Sequence, residues 1–146
     1  MSPRIIAFSA LAIASFAIAA PTPAAVLYDN GADIDFDFGA FSNTSPFQVT
    51  DSFALSSSST LTGVTFANWF VTPNTGSKVD WTITSAPFGG TTLASGVGAL
   101  SFLSNLGTSG SFSIYSETFS MPSISLSSCT YWLQLNSEVV TGGTGY

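Results

Sequence analysis

Apolar and polar residues alternate along most of the chain after residue 25, with short clusters of turn-forming residues between the alternating segments. In residues 33–38, Ile and Phe occupy every second position and aspartates occupy the positions between them. Similar segments lie at residues 47–55, 61–71, 79–83 and 131–135. A period of two is that of a β-strand, and no sustained 3.6-residue period follows residue 25. The pattern predicts an all-β fold, specifically a β-sandwich of jelly-roll type.

The same pattern makes predictions about individual segments. Residues 25–28 are expected to form a first strand, and Trp81 is expected to face the core. Asp51 falls on the apolar side of its strand, which predicts a bulge or an edge strand, because an unpaired charge facing a core is costly. The glycines within residues 91–100 predict a weak edge strand with either close packing or a bulge. The strand that starts near Phe112 is expected to end at Pro122, which lacks a backbone N–H.

The amino terminus differs in pattern from the rest. Arg4 precedes an apolar run over residues 5–19, and Pro21 and Pro23 follow it. A run of about 15 residues is shorter than the roughly 20 that a transmembrane helix needs, and the prolines end a helix. Residues 1–25 are therefore predicted to be a secretory signal peptide, with residues 17–19 and 22–24 as alternative cleavage sites. Residues 26–146 are predicted to form a single β-sandwich domain.

Charge and cysteine content narrow the function classes. Residues 26–146 contain eight Asp and Glu residues against Lys78 alone, which gives a formal charge of −7. Binding to nucleic acid depends on several Lys or Arg side chains on phosphates, so no nucleic-acid partner is expected. Cys129 is the one cysteine, so the domain has no internal disulfide, and its strand-entry position predicts a half-buried side chain.

The residue inventory also predicts a protein that is not an enzyme. The chain has no histidine, so a Ser-His-Asp triad, a Cys-His pair and a histidine zinc site are excluded. Ser-Lys chemistry would need Lys78, which follows a turn and is expected to be solvated. A pair of carboxylates acting on a glycosidic bond is the remaining catalytic alternative.

Four aspartates form the first candidate site. Asp29, Asp33, Asp35 and Asp37 lie within nine residues, and the last three share one face of a predicted strand. Calcium binds six to eight oxygen atoms, and carboxylates are its usual ligands. The segment therefore predicts a calcium site, although its spacing does not match an EF-hand loop, and a solvated acidic face is the alternative.

Tryptophans form the second candidate site. Trp132 is opposite in phase to its apolar neighbours Tyr131 and Leu133, and Trp69 is likewise out of phase with Phe70. Exposed aromatic rings on a β-sandwich can stack on sugar rings, whereas most aromatic residues of a small domain are needed for packing. Trp69 and Trp132 are therefore the predicted carbohydrate-binding residues.

Six segments of the chain resemble the bacterial PEP-CTERM proteins, the surface proteins that exosortase sorts. They are residues 27–31 (LYDNG), 51–53 (DSF), 61–66 (LTGVTF), 79–83 (VDWTI), 85–96 (SAPFGGTTLASG) and 130–135 (TYWLQL). The resemblance implies secretion from a Gram-negative cell by the general secretory pathway. It also implies sorting toward the cell surface or an exopolysaccharide-rich matrix by the export and sorting machinery.

The family's carboxyl-terminal Pro-Glu-Pro motif, hydrophobic span and Arg cluster are not found before Tyr146. We therefore expect this chain to be a fragment that lacks the membrane anchor and at least one carboxyl-terminal strand of the sandwich. The expected function is that of a non-enzymatic surface or matrix structural protein of unknown molecular activity. The alternative is a carbohydrate-binding module assisted by calcium.

Overall fold

A computed structural model describes residues 25–28, 43–71 and 73–141. These residues form seven strands and no helix. The strands are β1 Gln48–Ala54, β2 Ser59–Val71, β3 Thr75–Ala86, β4 Gly89–Ala99, β5 Ser101–Ser109, β6 Phe112–Leu126 and β7 Thr130–Thr141. The prediction of an all-β fold is confirmed.

The strands form two antiparallel sheets that pack against each other as a β-sandwich. The four-stranded sheet has the order β1-β7-β3-β4, and the three-stranded sheet has the order β2-β6-β5. The chain crosses between the sheets after β1, between β2 and β3, at Leu100 between β4 and β5, and between β6 and β7. The sandwich is confirmed, and its jelly-roll type stays a prediction.

The core lies between the sheets and follows from the alternation of β3. Val79, Trp81 and Ile83 are at most 3% exposed and face Phe119 of β6, which is 2% exposed. The rings of Trp81 and Phe119 stack with their centroids 6.4 Å apart. Full burial of each such side chain stabilises a fold by about 1.5–3 kcal/mol, so this central group holds the two sheets together.

Glycines in β4 allow this close approach. A Cβ on Gly96 would lie 2.8 Å from Cζ2 of Trp81, and a Cβ on Gly98 would lie 2.5 Å from Cδ2 of Phe119. β4 is also an edge strand of its sheet. Both predictions for this segment are confirmed.

The position of β1 explains the placement of Asp51. β1 is the other edge strand of the four-stranded sheet, and its register with β7 is regular from Gln48 to Ala54. Asp51 is exposed there. Of the two predicted explanations, the edge position is confirmed and no bulge is present in this pairing.

Three local predictions are wrong. Residues 25–28 form no strand, because all four side chains are exposed and their alternation therefore buries no apolar face; the ring of Tyr28 lies 6.2 Å from that of Phe53. β6 continues past Pro122, since the register shifts opposite this proline and relieves it of a ladder hydrogen bond. Cys129 is exposed, because it lies in the loop before β7 and not within the strand.

No helix among residues 25–28, 43–71 and 73–141 is long and apolar enough to cross a membrane. The predicted signal peptide lies almost wholly outside these residues.

Candidate functional site

The side of the four-stranded sheet that points away from the core carries polar side chains in rows. We call this side the outer face. The residues of the outer face alternate with the core residues of the same strands. The register of β1, β7 and β3 aligns these residues from one strand to the next. The rows are Gln48, Asn136 and Asp80; Thr50, Gln134 and Thr82; and Ser52, Trp132 and Thr84.

Gln134 is the centre of the outer face. Its Oε1 accepts a hydrogen bond of 2.6 Å from Nε2 of Gln48, and its Nε2 donates one of 3.1 Å to Oγ1 of Thr84. Thr84 in turn donates to the carbonyl of Ala86 at 2.8 Å. Gln134 and Thr84 are 7% and 3% exposed, so this chain of amide and hydroxyl groups is held rigidly.

A pocket of about 190 Å³ opens beside this chain. It is lined by Gln48, Val49 and Thr50 of β1 and by Phe88 of the turn between β3 and β4. Because β7 separates β1 from β3, the turn must reach across β7 to bring Phe88 to the pocket. The ring of Phe88 is 68% exposed.

Two further groups belong to the outer face, a buried hydroxyl and a half-buried aromatic ring. Oγ1 of Thr50 is buried and has no hydrogen-bond partner among the described residues, although buried polar atoms are usually paired. Trp132 is half-buried between its cross-strand neighbours Ser52 and Thr84. The outer face therefore combines aromatic surface with fixed amide and hydroxyl groups, as small-molecule sites do.

A second polar group lies between the two sheets. Glu117 of β6 and Glu138 of β7, which we call the carboxyl pair, are 1% and 7% exposed. Nδ2 of Asn68 donates to Oε2 of Glu117 at 3.1 Å and to both oxygens of Glu138 at 2.7 and 2.8 Å. The backbone N–H of Gly76 donates to Oε1 of Glu117 at 3.2 Å. The pair therefore joins the two sheets through neutral donors.

A β-bulge turns Glu138 into this position. β7 has one more residue than β3 between the pairs Lys78–Val139 and Asp80–Asn136. Ser137, at the bulge, has a left-handed φ of 51°. Regular alternation would point Glu138 to the outer face, and the extra residue reverses its direction.

Burial raises the pKa of both carboxyl groups. For Glu117 the cause is desolvation, and hydrogen bonds from Asn68 and Gly76 oppose it. For Glu138 desolvation again dominates and the negative charge of Glu117 adds to it, while hydrogen bonds from Asn68 and Asn43 act in the opposite direction. Each group therefore favours its protonated form more than a solvated glutamate does.

The carboxyl pair does not have the access that glycoside hydrolysis requires. Both side chains are buried between the sheets, whereas the acids of a glycosidase flank a bound sugar and a water molecule. Its burial therefore favours a role within the fold. No group of three or more His, Cys, Asp or Glu side chains that could hold a metal ion occurs in the part of the chain that the structure describes.

The structure does not bring the two predicted tryptophans together. Trp132 lies on the outer face, but Trp69 lies on the three-stranded sheet, where it packs 6.1 Å from Phe112 and opposite the fully buried Ile114. The predicted calcium ligands Asp29, Asp33, Asp35 and Asp37 are outside the described residues.

Sequence reasoning missed several polar residues of both sites. Gln134 has the same phase as Trp132 and could have been found from the alternation of β7. Glu117 has the same phase as the apolar Phe119, so the alternation of β6 already indicated that this carboxylate is buried. Glu138 could not have been found in this way, because the bulge at Ser137 changes its phase.

Comparison of the chain with family models, with curated proteins and with solved structures found no match. Any functional conclusion therefore depends on the chemistry of the outer face and on the sequence.

Proposed function

We propose that this protein is an exported, non-enzymatic structural protein of the bacterial cell surface or extracellular matrix, and that it binds extracellular polysaccharide through the outer face. The predicted signal peptide and the resemblance to exosortase-sorted proteins support its location. The calcium-assisted form of this binding depends on the four aspartates of residues 29–37.

The observation that carries the carbohydrate role is the fixed amide of Gln134 beside two accessible aromatic rings. Sugar rings present hydroxyl groups at their edges and C–H groups on their faces. The face of a sugar can stack on Phe88 or Trp132, as apolar surfaces do on aromatic rings, while hydroxyl groups reach the half-buried amide of Gln48.

The dimensions of the pocket favour a small contact. Its volume of about 190 Å³ is below the roughly 300–1,000 Å³ of pockets that enclose drug-sized ligands. It suits a single sugar ring or a branch of a polymer. A protein that holds a matrix polymer by many weak contacts needs no deeper site, because linked contacts add through effective concentration.

The formal charge of −7 for residues 26–146 limits which polysaccharides the outer face would bind. Like charges repel at low ionic strength, and Asp80 lies in the outer face itself. We therefore expect neutral polysaccharides to bind in preference to acidic ones.

Titration of the protein with a panel of soluble polysaccharides, followed by tryptophan fluorescence, tests the carbohydrate role. A saturable change is expected for at least one neutral polymer. Phe88→Ala and Trp132→Ala should each weaken binding about tenfold or more, since a nucleobase stacked on an aromatic side chain contributes about 1–3 kcal/mol and we expect a stacked sugar ring to contribute similarly. Phe102→Ala is the matched control, because Phe102 is 56% exposed and lies on β5 of the other sheet.

The controls separate the alternatives. Flat fluorescence traces across a broad panel would contradict the carbohydrate role and leave a structural protein without this ligand. Equal loss of binding in Phe102→Ala would place the contact elsewhere. Turnover of any polysaccharide, removed by Asp→Asn or Glu→Gln substitution, would contradict the non-enzymatic assignment. Detection of the protein in cytoplasmic fractions alone would contradict export.

A further inference from the structure

The carboxyl pair is not used by the proposed carbohydrate site. Its hydrogen-bonding groups include members of both sheets: Asn68 and Glu117 lie on the three-stranded sheet, and Gly76 and Glu138 lie on the four-stranded sheet. We propose that this pair is a pH-sensitive clamp, which holds a proton while the sheets are closed and weakens their contact when both carboxyl groups are ionised.

The two carboxyl groups are too close to be ionised together without cost. A single point, the Cβ position of Gly76, lies 2.5 Å from Oε1 of Glu138 and 2.8 Å from Oε2 of Glu117. These two oxygens are therefore at most about 5 Å apart. Two buried negative charges at this distance repel strongly, and one proton between them removes the repulsion.

No described cation offsets the two charges. The groups that face the pair are the side chains of Asn43, Asn68 and Leu100 and the backbone of Gly76. None of these groups is ionisable. Lys78, the only described residue with a positive charge, is exposed and hydrogen-bonds neither carboxyl group.

The orientation of Asn68 favours a proton over a metal ion. Oδ1 of Asn68 accepts a hydrogen bond of 3.1 Å from the backbone N–H of Trp69. This bond directs the NH₂ group, and not the oxygen, toward the carboxyl pair. A hard cation would need oxygen atoms on all sides, whereas an amide NH₂ group satisfies carboxyl oxygens directly.

The sign of the pH effect follows from the raised pKa of each group. Their ordinary pKa is 4.5, so the folded state binds more protons than the unfolded state at pH values above this. The clamp therefore contributes its full stability below pH 4.5. This stability is lost as the pH rises through the raised pKa values of the two carboxyl groups in the folded state. The unfolding equilibrium constant increases about tenfold for each pH unit over which unfolding releases one proton.

Denaturant unfolding of the purified protein from pH 5 to pH 9 tests the clamp. The native protein should become less stable as the pH rises. Glu138→Gln replaces an ionisable group by a neutral amide that can donate to Glu117, so its pH dependence should be weaker, and that of the double variant with Glu117→Gln weaker still. Asp51→Asn is the control, because it removes an exposed carboxylate, and it should keep the native profile.

Two results would overturn the proposal. One is a native profile as flat as that of the double variant. The other is removal of the pH dependence by millimolar calcium in the native protein but not in the double variant, which would show a cation site. If the variants do not fold, infrared spectra of the native protein at increasing pH decide, because the carboxylic acid C=O band of the pair should persist to a higher pH than that of a solvated glutamate, and loss of the band at the same pH as for a solvated glutamate would exclude the retained proton.

Discussion

The outer face and the carboxyl pair bury polar side chains in two different ways. In the outer face, Gln134 is neutral and is bonded on both sides, to Gln48 and to Thr84. In the carboxyl pair, two acids share the single NH₂ group of Asn68. A satisfied amide can be buried at any pH, whereas an acid remains buried at low cost only while it is protonated or fully bonded. The two regions should therefore respond differently to pH and to substitution.

The largest effect is expected where the carboxyl pair is most crowded. A Cβ on Gly76 would approach both carboxyl groups and would lie 2.6 Å from Cδ1 of Leu100. The two carboxyl groups cannot move away without breaking their bonds to Asn68, so Gly76→Ala should cost about 2–3 kcal/mol in urea unfolding. Gly89→Ala has no contact closer than 4.0 Å and should change stability by less than about 0.5 kcal/mol. Equal effects of the two substitutions would contradict the crowded geometry.

A pair of alanine substitutions compares the two regions directly. Asn68→Ala removes the shared donor and should cost about 2 kcal/mol at pH 8 and less at pH 5, because protonation relieves the unsatisfied acids. Gln134→Ala should cost about 1 kcal/mol, with the same value at both pH values, since Gln48 and Thr84 do not titrate. Urea unfolding at the two pH values measures both. A pH-dependent loss in Gln134→Ala would mean that the two regions are coupled.

Calcium tests whether the predicted site in residues 29–37 exists. When calcium exceeds its dissociation constant about tenfold, stability should rise by about 1.4 kcal/mol, and the melting temperature should rise with it. Substitution of Asp33, Asp35 and Asp37 by Asn should abolish the rise, and Asp80→Asn should not. No shift at millimolar calcium would remove the site.

The smallest effect on stability is expected at the pocket. The ring of Phe88 is largely exposed, so Phe88→Ala should change the free energy of unfolding by less than about 0.5 kcal/mol while it weakens polysaccharide binding. Thermal melts and fluorescence titrations of the same preparation measure both quantities. A large loss of stability would show that Phe88 acts in packing and not in recognition.

The sequence predicted features that depend on alternation alone. It predicted the all-β sandwich, the inward direction of Trp81, the edge positions of β1 and β4, and the close packing at Gly96 and Gly98. It could not predict features that depend on a change of register. Pro122 within β6 and Glu138 in the interior both depend on an irregular pairing that no local pattern records. The pocket also escaped prediction, because Phe88 reaches β1 through a turn that crosses an intervening strand.

The bulge at Ser137 has a consequence for how such a domain could change during evolution. Deletion of Ser137 would leave Glu138 opposite Val79 and facing the interior, whereas deletion of Val139 would let Ser137 pair with Val79 and would turn Glu138 to the outer face, while β7 kept its partners β1 and β3. Loss of the single Val139 codon would then remove the dependence of folding stability on pH, and its reinsertion would restore this dependence. Related domains in acidic and alkaline habitats could thus differ in pH response through strand length, with no change in the acidic residues themselves.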